Sequence, residues 1–241
     1  MRMRKKKHAD DRLLACKEYL YSHTGEPMAD PAVSVYGEDM PVYLEIGAGK
    51  GGFAVGMTRA NPGVAYFAME RVTDCVVLAA EKAKSEGCAN LRFMIDTADN
   101  LTRIFAPGSV DAIFLNFSDP WSKKGYAKRR LTHARYLAVY MQLLKDGGTL
   151  RFKTDNVGLF DFSLDQLAEV GLDPVKLTRD LHASEWSVGN VVTEYEAAFS
   201  SQGVKINMLE VVKPAGFSLE VPADLRADRI SFKDSIKENK K

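Results

Sequence analysis

The chain is poor in the features that would place it outside the cell, in a membrane or around a metal. Its three cysteines, Cys16, Cys75 and Cys88, are odd in number and lack metal-ligand spacing, so they read as buried, reduced thiols. No apolar run approaches the roughly 20 residues of a membrane span. Arg2, Arg4, Lys5, Lys6 and Lys7 have no apolar core behind them, which does not read as a secretion signal. Net charge is nearly absent too: at a formal +1, attraction to a polyanion has to come from local clustering. There is no internal repeat. At 241 residues, 46% hydrophobic and 27% charged, the chain reads as one sizeable α/β domain with at most a small appendage, cytoplasmic, with no membrane and no metal.

A local absence says more. Residues 120–145 contain no Asp or Glu but seven cations: Lys123, Lys124, Lys128, Arg129, Arg130, Arg135 and Lys145. Immediately before them stands Asn116-Phe117-Ser118-Asp119-Pro120-Trp121, at the end of an apolar run that reads as a buried strand. A carboxylate, Asp119, is thus set at a strand end beside a positive face, with a tryptophan offering a π surface. Cations without compensation repel one another unless an anion is near, and phosphate contacts position a nucleic acid without reading its sequence. The alternative is a turn followed by a solvated basic helix. Tyr126 and Tyr136 are suited equally to packing and to RNA contact.

Strands and helices alternate after about residue 40, which predicts a mostly parallel sheet covered by helices. Strands are expected at residues 42–46, 64–69, 91–95, 110–117 and 149–153, with a late one at 204–212. Helices are expected at 52–60, 72–85, 101–105 and 157–170, and another, capped by Thr132, reaching residue 144. The first 25 residues are basic and then helix-compatible. Three regions follow: a basic extension over 1–30, a catalytic domain over 31–213, and a tail over 214–241 expected to be mobile.

The first strand runs into Glu45-Ile46-Gly47-Ala48-Gly49-Lys50-Gly51-Gly52. Gly47, Gly49 and Gly52 fit a dinucleotide fingerprint, a weak signal alone. Two acids sharpen it. Glu45 stands beside the loop, where it would repel a pyrophosphate and favour a sulfonium or amino group. Glu70 ends the second strand, where a carboxylate can accept ribose hydroxyls. Together they read as the S-adenosylmethionine site of a Rossmann-like methyltransferase. A Walker loop is excluded, because no glycine stands five residues before Gly49-Lys50. Asp96 and Thr97 end the third strand, where they either reach an adenine edge or form a turn. Asp155, ending the fifth strand, should sit beside Asp119. Thr193 to Glu196 can close over the site or simply form a capping box.

These residues together resemble the bacterial-type tRNA (guanine-N7)-methyltransferase family. The likeness covers residues 44–213 and includes Lys128-Arg129-Arg130-Leu131-Thr132, Phe152-Lys153-Thr154-Asp155-Asn156 and Thr193-Glu194-Tyr195-Glu196. It implies a class I fold with a mostly parallel seven-stranded sheet and helices on both faces. It further implies methyl transfer from S-adenosylmethionine to guanine N7 in the tRNA variable loop. By resemblance Glu45, Gly47, Gly49, Glu70, Asp96 or Thr97, and Asp119 contact the cofactor, Asp119 being also the catalytic residue. Lys123, Asp155, Thr193 and Glu196 would contact the target nucleotide, and Lys128, Arg129 and Arg130 the RNA. The chain departs from the family at Thr97, where Asp or Asn is usual, at Ser122 in place of proline, and at Gly125-Tyr126 in place of an Arg-His pair. The resemblance leaves the protein a monomer or a homodimer. The rival readings are an adenine amino-methyltransferase on RNA, suggested by Asp119-Pro120-Trp121, and a non-catalytic RNA-binding protein.

Overall fold

The computed structural model describes residues 6–226. Its strands are β1 (Val42–Ile46), β2 (Ala65–Met69), β3 (Leu91–Met94), β4 (Val110–Asn116), β5 (Leu144–Thr154), β6 (Lys176–Thr178) and β7 (Asn207–Val212). They form one sheet in the order β3-β2-β1-β4-β5-β7-β6. β1 to β5 pair in parallel, and β7 runs antiparallel to both β5 and β6. The helices are α1 (Ala9–Leu14), α2 (Pro31–Tyr36), α3 (Gly52–Ala60), α4 (Thr73–Ser85), α5 (Leu101–Ile104), α6 (Ala134–Leu143), α7 (Val157–Glu169) and α8 (Glu194–Ser200). The winding direction reverses between β1 and β4, so the carboxyl ends of these two strands open a crevice, the usual ligand position in such sheets.

Side chains alternate across each strand. Leu44, Ile46, Phe67, Leu115 and Phe152 face one core layer, under α6 and α7. Tyr66, Ala68, Phe93 and Phe114 face the other, under α3 and α4. Strands buried on both faces read as the apolar runs seen in the sequence. The same alternation turns Glu45 toward α3, where it is only 2% exposed.

Several elements differ from the sequence expectation for physical reasons. The cap of α6 is His133, whose Nδ1 accepts from Arg135 N at 3.2 Å, not Thr132. Thr132 is buried and shares a 2.7 Å hydrogen bond with the Ser163 hydroxyl of α7. β5 starts at Leu144, five residues before the expected 149, and its pairing with β4 shifts register between Val110 and Ala112. The early segment is tied down: Arg12 makes two 2.7 Å bonds to Glu81 on α4, and Leu20 and Met28 bridge to Phe93 and Phe105.

Residues 214–226, expected within a mobile tail, lie against the domain. Val221 and Leu225 are buried, the Thr102 hydroxyl donates to the Leu225 carbonyl at 2.6 Å, and Arg135 pairs with Asp224. Arg2, Arg4 and Lys5, and residues 227–241 of the tail, lie outside the described residues. Since Leu225 fills a buried position, Leu225→Ala should lower stability to urea unfolding by about 2 kcal/mol or more. An unchanged midpoint would show that this segment does not pack.

Candidate active site

The loop after β1 is shaped by its neighbours on both sides. Gly47 N and Ala48 N donate to Met69 O at 2.8 and 3.0 Å, which turns the chain over the end of β2. Gly47 and Gly49 adopt φ of 86° and 55°, and a Cβ at either would point into open space within reach of no atom. That open space is a cavity. Glu70 locks the loop from below: one carboxylate oxygen accepts from Gly49 N at 3.0 Å, the other from Val72 N, at the start of α4, at 2.8 Å.

Under this loop lies a line of buried polar groups on the α3 face of the sheet. Asn116 Nδ2 donates to Glu45 Oε1 at 3.1 Å, and the Tyr66 hydroxyl reaches Glu45 Oε2 at 3.4 Å. Asn116 is the register partner of Lys153 on β5. The Lys153 ammonium, 1% exposed, donates to Glu196 Oε2 at 2.6 Å, to Asn190 Oδ1 at 3.0 Å and to the Val191 carbonyl at 3.0 Å, and it lies 5.0 Å from the Phe53 ring centre. Burial pushes the Lys153 ammonium down, opposed by Glu196 and Glu45. Burial also raises the Glu45 carboxyl to about 7, with Asn116, Lys153 and Tyr66 only partly opposing it and Glu70 adding to it. One ammonium thus serves two acids, and Glu196 holds it. Glu45 is left short of a cation.

Glu196 was expected to touch the target nucleotide. It is fully buried: besides Lys153 it accepts from Asn190 Nδ2 at 2.7 Å, and its Oε1 lies 3.1 Å from His182 Nε2. It also closes the capping box of α8, in which Thr193 Oγ1 accepts from Glu196 N at 2.8 Å. Glu196 therefore anchors the segment 190–196 and presents nothing to the outside. Thr193 spends its hydroxyl on the cap, yet it lines the cavity together with Glu194 and Tyr195.

The cavity is double. One part, about 410 Å³, is bounded by Glu45, Gly47, Gly49, Asn116, Phe117 and the 193–195 strap. The other, about 890 Å³, takes in Glu70, Asp96, Thr97, Asp119, Trp121 and Arg129. They adjoin at Gly47, Cys75 and Phe117, which line both. Cys75, expected to be buried, is half-exposed there. Asp96 Oδ1 accepts from Thr97 N and Asn100 Nδ2, both at 2.7 Å, so this acid forms a turn while facing the larger cavity.

Asp119 rides on a strained loop. Phe117 and Trp121 hold φ of 52° and 41°, a region that costs a residue with a side chain about 1 to 3 kcal/mol unless its surroundings enforce it. Enforcement comes from Phe117 N donating to Lys153 O at 2.9 Å, from Tyr195 packed 4.9 Å from the Phe117 ring, and from Arg130. The latter donates to the carbonyls of Pro120 and Trp121 at 3.0 and 3.2 Å. Ser118 Oγ is buried in this loop with no partner. Asp119 itself is exposed, with Arg71 at 3.5 Å, a neighbour that no motif announced.

The seven cations do not form one face. Lys145 pairs with Asp111 at 2.9 Å, Arg135 with Asp224, and Arg130 braces the loop backbone. Lys123, Lys124 and Lys128 are exposed and make no ion pair among the described residues, and Arg129 stacks over Trp121 and Tyr126 at 5.0 and 4.8 Å. Tyr136 packs, its hydroxyl bonded to Asp99 at 2.7 Å, whereas Tyr126 is 42% exposed. Asp155 lines neither part of the cavity and meets it only through the Tyr195 hydroxyl, 3.4 Å away.

A cationic, nucleoside-bearing ligand suits this set of groups. Glu45 lacks a cation, the glycines leave room above it, Ser118 Oγ lacks a partner, and Glu70, Asp96 and Asp119 line the adjoining space.

Comparison with known proteins agrees. Residues 39–209 match the family model described as "Putative methyltransferase" (Methyltransf_4). Among solved structures the chain is similar to the 16S rRNA methyltransferase KamB, at 14% identity over 72% of this chain and 88% of that one, with a TM-score of 0.55. It is also similar to an antibiotic-related methyltransferase, at 16% identity over 79% and 96% of the two chains, with a TM-score of 0.56. A third likeness is to geranyl diphosphate C-methyltransferase from Streptomyces coelicolor A3(2), at 16% identity over 85% and 76%, with a TM-score of 0.50. The fold is the Rossmann-like fold of class I methyltransferases.

The state of Glu45 yields a stability test. A carboxyl raised in the folded state leaves stability intact below its unfolded value, about 4.5, and removes it as pH rises through the folded value of about 7. Glu45→Gln keeps the Asn116 bond and has no proton to lose. The variant should therefore be more stable than the parent above pH 7, by up to about 3 kcal/mol, and equal to it near pH 4.5. Parallel curves of melting temperature against pH would refute the shift.

Proposed function

The chain belongs to the tRNA (guanine-N7)-methyltransferase family, and from that premise we propose that it methylates N7 of a guanosine in the variable loop of tRNA. As in that family, the methyl donor is S-adenosyl-L-methionine. The observation that carries the reading is Glu45, a buried carboxyl without a cation of its own, opening into a cavity walled by Asn116, Phe117 and the 193–195 strap.

When bound, the donor supplies an electrophilic methyl group on a positively charged sulfur. Glu45 would hold the positive end of the donor, whose charge would supply the cation that Lys153 leaves missing and let the carboxyl ionise. Gly47 and Gly49 would let the backbone approach the donor closely, while Glu70 and either Asp96 or Thr97 would hold the polar edge of its nucleoside part. The target base leaves its stack to reach the pocket. Guanine N7 carries a free lone pair, so no residue has to remove a proton first. Asp119 offers negative charge where the purine becomes cationic, and the strained backbone of its loop keeps that charge in place before the base arrives. Alignment of the two reacting groups supplies much of the remaining acceleration.

Lys123, Lys128 and Arg129 lie exposed on the same loop and hold phosphates, Trp121 and Tyr126 giving Arg129 a fixed platform. Thr193 and Tyr195 wall the nucleotide, and Asp155 acts on it through Tyr195. Similarity of fold to a 16S rRNA methyltransferase is compatible with an RNA substrate.

Two experiments test the reading. Digestion of tRNA after incubation with protein and labelled donor should release 7-methylguanosine; a methyladenosine would select the amino-methyltransferase reading, and no label would leave an RNA-binding protein. Asp119→Ala should lower turnover by about a hundredfold or more, with the melting temperature unchanged, because this acid is exposed and its loss opens no cavity. Turnover near that of the parent would remove Asp119 from the mechanism.

A further inference from the structure

Helix α3 carries two glycines one turn apart, Gly52 and Gly56, on the side that meets the strap. A Cβ at Gly56 would stand 2.6 Å from Val191 Cγ1, and one at Gly52 would stand 2.8 Å from Glu194 Cγ. Neither glycine has a positive φ. Their backbone suits any residue, and helix propensity favours alanine at such positions. What forbids a side chain is the strap.

The two contacts differ in kind. Glu194 meets Gly52 with a long side chain that can turn aside, and it has Lys82 of α4 as a partner to turn toward. Val191 has no such freedom. It is branched at Cβ, and its carbonyl is bonded to the Lys153 ammonium, which also holds Asn190 and Glu196 on either side of it. The strap is thus latched from below by a buried lysine and pressed against bare helix backbone at Gly56. From two residues further on it supplies Thr193, Glu194 and Tyr195 to the cavity wall, with Tyr195 packed on Phe117.

We propose that Gly56 is a positioning residue: its missing side chain is the socket that seats Val191 and thereby sets where the 193–195 strap walls the side of the cavity, opposite Glu45, that the target nucleotide enters. This rests on the reading that an RNA nucleotide enters that cavity. A methyl group at position 56 displaces the strap outward while leaving Glu45, Gly47 and Glu70, which sit on other elements, where they are. Gly56 touches no substrate and acts through Val191.

The test is a size swap in the full chain: Gly56→Ala, Val191→Ala and the two together. Gly56→Ala should leave the dissociation constant for S-adenosylmethionine within about twofold while raising KM for tRNA about tenfold, and amide exchange over 193–196 should quicken. Val191→Ala removes the atom that would collide, so the double variant should return both KM and exchange to within about threefold of the parent. Gly56→Ala indistinguishable from the parent would overturn the proposal. So would a double variant no better than Gly56→Ala, or donor affinity that falls in step with KM. If the parent does not methylate tRNA, the functional reading fails, while the exchange measurement and its rescue still decide whether Val191 is seated by Gly56.

Discussion

Two carboxylates, Glu45 and Glu196, face one buried ammonium, Lys153, on the α3 side of the sheet, and the geometry awards that ammonium to Glu196 at 2.6 Å. The consequence is an imbalance built into the core. Burying a charge is tolerable when it is paired and costly when it is not. Glu196 and Lys153, each with further hydrogen bonds, meet that condition. Burial raises the proton affinity of Glu45, and an amide, a phenol and part of a shared charge only partly offset it. In the proposed function, a site that lowers its own energy by taking up a cation is the physical content of donor recognition. The glycine loop above Glu45 gives the cation a way in.

The same ion pair organises the proposed acceptor side. Lys153 reaches past the sheet to the backbone at Val191, and Glu196 closes the first turn of α8, so the strap between them is fixed at both ends by one buried interaction. The β4 loop is fixed from β5 as well, through the bond from Phe117 N to Lys153 O. The proposed donor pocket after β1, the Asp119 loop after β4 and the strap held from β5 therefore meet on three neighbouring strands, beside the point between β1 and β4 where the sheet reverses direction. Removing Lys153 would disturb all three together, so its variants report on the frame of the site and not on a single contact.

Much of this was legible in the residues. The apolar runs ending in acid or glycine located β1 to β4 and placed Glu45, Glu70, Asp96 and Asp119 at their carboxyl ends, because a short apolar run stopped by an acid or a glycine has few other readings. β6 was not legible: three half-exposed residues, paired only with β7, carry no pattern of their own. Lys153 was quoted within a motif but given no role. A lysine alternating with Leu150 and Phe152 looks solvent-facing, and only Glu196, 43 residues away in the chain, explains its burial. Thr193 and Glu196 raised two readings, cap or site, and the capping box is formed while the segment it starts still walls the cavity. The basic run misled in a different way. Its lack of internal acids suggested an uncompensated face, but Asp111 and Asp224 arrive from elsewhere, and Arg130 is spent on carbonyls.

The central claim is that the donor binds by ionising Glu45. Calorimetric titration with S-adenosylmethionine at pH 7, repeated in buffers of different ionisation enthalpy, counts the protons exchanged on binding. With the carboxyl near half-protonated at that pH, the parent should release about half a proton more than Glu45→Gln. Equal proton counts for the two proteins, with affinity unchanged, would contradict the account.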